Sequence, residues 1–160
     1  MQGVGRIYQQ TFIDSYAKVA FARLYDRKTP ISAAEILNGC VLPFFTEHGI
    51  ALCRVLTDRC TEYCGNREHH DYELFLAFED TDHTRESANA SIAPSSMSYI
   101  AWVRKKVYRT VDELQGDLDA WVKEYNETRP PQGRWCYDKT PVQTLLDAVP
   151  IARKKLLSAA

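Results

Sequence analysis

Asp58 is the acidic side chain best placed to do chemistry. It ends a short run of apolar and β-branched residues, Val55, Leu56 and Thr57, and a polar segment follows it through Cys60, Thr61, Glu62 and Tyr63. Such a run reads as a buried strand, and open α/β sheets place ligand chemistry at the carboxyl ends of their strands. The same aspartate could instead cap the turn behind it, as aspartates commonly do. Cys60, Cys64, His69 and His70 are metal-ligating types close in sequence, but their spacing fits no standard zinc finger and a second cysteine pair is missing. Zinc is therefore not expected. Arg104, Lys105, Lys106 and Arg109 cluster enough to touch phosphates, with Arg129 and Arg134 further along, or they form a solvated face. Arg153, Lys154 and Lys155 read as a soluble helix terminus, and His48 as a surface residue near a helix end.

The elements that must hold these groups belong to one domain. The 160 residues suffice for a core burying about 70% of the unfolded surface. A content of 45% hydrophobic and 11% aromatic residues excludes a disordered or fibrous chain. No apolar run approaches the ~20 residues of a membrane span, and the N-terminus has no signal-peptide pattern, so the expected location is cytoplasmic. A net charge of −1 argues against a nucleic-acid binder held by bulk charge but leaves room for a local basic groove. Five cysteines at irregular spacing fit reduced thiols.

Residues 6–14 and 18–26 read as an antiparallel hairpin, with Asp14 at the end of its first strand. Thr29-Pro30 opens a helix with Ser32-x-x-Glu35 as a capping box, an apolar face through Phe44 and Phe45, a kink or division at Pro43, and a stop at Gly49. After the Asp58 strand, residues 69–79 predict a helix with Tyr72, Phe75, Leu76 and Phe78 turned inward, and residues 80–85 a further strand. Glu86 to Ser98 has no apolar face and reads as a loop or insert. Thr110-x-x-Glu113 and the stripe Leu114, Leu118, Trp121, Val122, Tyr125 predict a long helix, and Thr140-Pro141 opens the last one.

The wording is more specific than the spacing. LTDRCTEYCGN around Asp58 and EYNETRPPQGRWCYDKTPVQTL (Glu124 to Leu145) resemble two motifs of DDE transposases and retroviral-type integrases, the insertion-sequence enzymes with an integrase catalytic core. Cys60 stands where that family has a glycine, and Pro131 where it has a histidine. FIDSYAKVAF matches the family's second and third strands, where Asp14 is a turn residue, and DHTR its fifth strand. The resemblance implies an α/β, ribonuclease-H-like (integrase core) fold that is incomplete, with the first strand missing and the active-site helix altered. It divides the chain into a partial core over residues 1–86, a divergent segment over 87–98, and a C-terminal helical part over 99–160.

The same resemblance implies DNA integration or transposition by metal-dependent polynucleotidyl transfer, with Mg²⁺ or Mn²⁺ held by three carboxylates. Asp58 is the one acid with a matching position. It is therefore the expected catalytic residue and metal ligand, with metal binding impaired. Glu86 would stand at a strand end and not on a helix, which makes it a poor substitute. A one-base shift of a reverse-translated Ser87 to Ser98 restores a Cys-Glu-Arg-Phe-His wording, so a frameshift over this segment is expected. DNA, a second copy of the chain or a full-length transposase are the implied partners, with Arg104, Lys105, Lys106 and Arg129 as the DNA contacts and no membrane involved. The alternatives are a chain inactive alone and a non-catalytic remnant that binds DNA or a transposase.

Overall fold

The computed structural model describes residues 5–66, 68–85, 106–129 and 138–158; beyond Ile151 only the Lys154 side chain is described. The N-terminal hairpin pairs β1 (Tyr8–Ile13) with β2 (Ala20–Tyr25) antiparallel, in a register that sets Tyr8 opposite Tyr25 and Ile13 opposite Ala20. Asp14 is a turn residue here: its Oδ2 accepts the backbone N–H groups of Tyr16 (3.1 Å) and Ala17 (2.5 Å).

Helix α1 (Pro30–Ile36) begins with Pro at its first positions, where the absent N–H has no partner to lose. The capping box is Thr29 with Ser32, displacing the expected Ser32–Glu35 pairing. Ser32 N–H donates to Thr29 Oγ1 at 3.2 Å, and Thr29 N–H donates back to Ser32 Oγ at 3.1 Å. A π turn, Leu37–Val41, separates α1 from α2 (Leu42–Glu47). The turn lets Pro43 sit in the first turn of a new segment, so the expected division occurs upstream of the proline. Gly49, at φ 65°, ends the segment in the left-handed region.

Next come β3 (Arg54–Thr57), α3 (Asp71–Phe78) and β4 (Asp82–Arg85). The two strands pair parallel, Arg54 opposite Asp82 and Thr57 opposite Arg85, and α3 supplies the crossover that parallel neighbours require. Two corrections concern these elements. The β3 strand is buried on one face only: Val55 is 4% exposed and Leu56 51%. Phe78 does not turn inward but is 86% exposed. It lies two residues beyond buried Leu76, about 200° around the helix, so the two cannot share a face.

The described strands form two separate two-stranded sheets, β1–β2 and β3–β4. One hydrophobic core nevertheless serves both. Ala17, Val19, Ala33, Leu37, Val41 and Phe45 pack with Val55, Tyr72 and Leu76, and Phe12 and Phe21 lie against them. A polar tie adds to this, since Tyr63 Oη donates to the buried Gln10 Oε1 at 2.5 Å.

Helix α4 (Val111–Thr128) starts at Thr110, whose hydroxyl accepts Glu113 N–H at 3.1 Å. Leu118 and Trp121 bury against Ala22 and Leu24 of β2, and Trp121 stacks on Tyr125 with ring centroids 5.8 Å apart. The helix also seals the free edge of β2. Asn126 bonds both the N–H and the C=O of Ala20 (2.9 and 2.8 Å), and Gln115 Oε1 accepts Leu24 N–H at 2.8 Å. Side-chain amides thus stand in for a neighbouring strand. Helix α5 (Pro141–Ser158) closes the described fold, with Leu145 in the main core.

Candidate active site at the end of β3

Asp58 directly follows β3 and is exposed. Its Oδ1 accepts the N–H of Cys60 at 2.9 Å, so the aspartate also caps the turn behind it. That turn is one helical loop, with Tyr63 N–H and Cys64 N–H both donating to Cys60 C=O (3.0 and 3.1 Å). The neighbouring Asp58 carboxylate is the main cause that pushes the Cys60 thiol pKa above its ordinary value, with burial second. Cys64 Sγ donates to Asp58 C=O at 3.6 Å.

Two buried carboxylates flank this end of the strand, and sequence reasoning singled out neither. Glu62 is 3% exposed, and its Oε1 takes the Lys28 ammonium at 2.7 Å. Glu73, on α3, reaches under the parallel pair. His83 Nδ1 of β4 lies 3.1 Å from Glu73 Oε1, short of hydrogen-bond alignment, and Arg85 pairs with the same oxygen. On the other side of the ring, His83 Nε2 is 2.7 Å from Thr57 Oγ1, and that hydroxyl also lies 3.0 Å from Asp58 C=O. Burial alone would raise the Glu73 pKa, but His83 and Arg85 outweigh it and the net shift is downward. A chain of polar contacts therefore runs from α3 through β4 to the residue before Asp58. A cavity of about 240 Å³ opens beside it, lined by Glu73, Leu76, Ala77, Thr81 and His83. The available signal was a charged residue, Glu73, inside the apolar stripe of α3.

The described cysteine and histidine residues do not converge. Among the described residues no group of three His, Cys, Asp or Glu side chains is arranged to hold a metal ion. His70 instead points Nε2 at Thr61 C=O (2.9 Å) and packs on Gly65, where an added Cβ would stand 2.2 Å from the ring. His48 Nδ1 bonds Phe44 C=O at 2.8 Å. With Asp58 as the one expected acid, the described donor set does not fit a centre built on three carboxylates and two ions.

Of the expected DNA contacts, Lys106 pairs with Asp117 at 2.8 Å, and Arg129 pairs with Glu124 at 3.0 Å while its guanidinium lies 5.7 Å over the Trp121 ring. Both are about half exposed. Arg104, Lys105, Arg134, Glu86 and the segment 87–98 lie outside the described residues. Among the described residues no helix is long and apolar enough to cross a membrane.

No protein-family model and no curated protein sequence matches the chain. Solved structures do match. The chain is similar to the catalytic core domain of HTLV-2 integrase, solved with magnesium in a trimeric form, at a TM-score of 0.57 and 10% identity over 85% of this chain and 82% of that one. It is also similar to the catalytic core domain of BIV integrase, at a TM-score of 0.57 and 13% identity over 91% and 89% of the two chains. At these identities the likeness is one of fold: the α/β architecture is that of integrase cores.

Proposed function

We propose that this chain is an integrase-core-like protein of a transposase, built on the fold of metal-dependent polynucleotidyl transferases and inactive alone. The observation that carries the reading is the position of Asp58. It stands at the carboxyl end of β3, in a parallel pair joined by a helix, within a fold similar to integrase cores over most of its length. The motif wording around it and in Glu124 to Leu145 supports the same assignment. Mg²⁺ or Mn²⁺ is the implied cofactor, and DNA, transposon ends and target alike, the implied substrate. The HTLV-2 core was solved with magnesium as a trimer, which supports looking for self-association or assembly with a full-length transposase. Asp58 as the one expected acid among the described residues supports inactivity of the single chain, since one matching carboxylate neither neutralises nor positions a pair of divalent ions.

A second reading, a non-catalytic remnant that binds DNA or a transposase, is favoured by the same donor set. One experiment tests both readings. Supercoiled plasmid is incubated with the chain and with Asp58→Asn in Mg²⁺ and in Mn²⁺, and duplex binding is followed in parallel by fluorescence anisotropy across a salt series. We expect no nicking above the Asp58→Asn level together with salt-dependent binding. Nicking that Asp58→Asn abolishes overturns both inactivity and the non-catalytic reading, and the absence of any DNA binding overturns the first reading and leaves the second only as a transposase-binding remnant.

A further inference from the structure

The fold covers one edge of the N-terminal hairpin and leaves the other open. Asp14 N–H donates to Val19 C=O at 2.9 Å, which fixes the phase of the β1–β2 ladder. Only alternate pairs of an antiparallel ladder exchange hydrogen bonds. With Ile13 opposite Ala20, the backbone groups of Ala20, Ala22 and Leu24 therefore point away from β1, and those of Gln9, Thr11 and Ile13 point away from β2. On the β2 side the amides of Asn126 and Gln115 take up the outward groups. On the β1 side, among the described residues, no hydrogen bond meets the backbone N–H and C=O groups of Gln9, Thr11 and Ile13, and β2 is the only strand paired with β1.

Open edges are ordinarily blunted by a charge, a proline or a bulge. The β1 strand, Tyr-Gln-Gln-Thr-Phe-Ile, has no charge, proline or glycine, and Gln9 and Thr11 are exposed. It is also self-complementary. An antiparallel copy related by a two-fold axis at Thr11 sets Thr11 opposite the partner's Thr11, Gln9 opposite the partner's Ile13, and Gln10 opposite the partner's Phe12. No like charges meet along the strand, and paired threonines are favourable cross-strand neighbours. We infer that the outer edge of β1 is a self-association surface, on which a second copy of this chain pairs antiparallel about Thr11. The same patch serves both copies, so the pairing closes as a dimer. It does not depend on the role of Asp58, and its measurement needs no DNA.

The test is sedimentation velocity of the full chain over a concentration series, with amide hydrogen exchange in parallel. Wild type should pass from monomer to dimer as concentration rises, and exchange at Gln9, Thr11 and Ile13 should slow in step. Thr11→Lys and Thr11→Glu each set like charges directly opposite one another across the two-fold axis. The Thr11 side chain is exposed and its N–H and C=O point away from β2, so neither change removes a hydrogen bond of the hairpin. Each variant alone should dimerise about tenfold more weakly. An equimolar mixture of the two should recover the wild-type dimer, because the introduced lysine then faces the introduced glutamate, and a misfolded variant cannot give that recovery. A wild-type chain that stays monomeric, leaving the edge to a strand of another protein, overturns the inference. So do variants that dimerise as wild type does, and a mixture that shows no recovery.

Discussion

Replacing Glu73 by Gln tests the polar chain beneath Asp58. The substitution keeps the shape and one acceptor oxygen but removes the charge. Glu73 and His83 side chains are 2% and 3% exposed, so water screens their contact poorly, whereas Arg85 is 41% exposed and its share must be discounted. Weakening the contact of a buried polar or charged group costs about 1–3 kcal/mol. With one such buried contact weakened, the expected loss is about 2 kcal/mol, or a melting-temperature drop of about 4–8 °C for a chain of this size. The pH dependence gives a sharper signature. Burial pushes the Glu73 pKa up, His83 and Arg85 push it further down, and the folded value lies below the ordinary 4.5. A lowered carboxyl contributes stability that is present above its unfolded pKa and is lost as pH falls through the folded pKa. Protonated Glu73 is also nearly isosteric with Gln. Urea unfolding followed by tryptophan fluorescence should therefore show the full wild-type advantage near neutrality and a shrinking one below pH 4.5. A gap of equal size at both ends of that range, or no gap at neutrality, would refute the reasoning.

Two further perturbations address the split sheet. Tyr63→Phe removes the donor to Gln10 and leaves a buried amide oxygen unpaired, so a loss of about 1–3 kcal/mol is expected in the same unfolding assay. Gln115→Ala with Asn126→Ala strips the amides from the edge of β2, exposing the backbone of Ala20, Ala22 and Leu24. Light scattering should show faster aggregation for this double variant on mild heating, and each single variant should lie between it and wild type.

Much of the local structure is legible in the chain because it depends on near neighbours. Whereas Asp14 was identified as a turn residue only through the family resemblance, Thr110 was readable as a helix cap and the stripe around Leu118 and Trp121 as a buried face, because capping and helical period are local rules. The position of Asp58 at a strand end was readable for the same reason. Errors arose where a pattern allowed two solutions. Ser32 could cap with Glu35 or be held by Thr29, and the stripe of α3 could be extended one residue too far, to Phe78.

Tertiary structure alone decided the contacts that make the site. Lys28 meets Glu62 across 34 positions, and His83 meets Glu73 only because a helical crossover sets β4 beside β3. No short-range preference encodes such pairs, since each charged residue by itself reads as surface. Burial made them partners: once packing removes Glu62 and Glu73 from water, each must find a cation or destabilise the fold. The sequence by itself thus determined where a carboxylate would end a strand, and the packed core determined which cations Glu62 and Glu73 would meet.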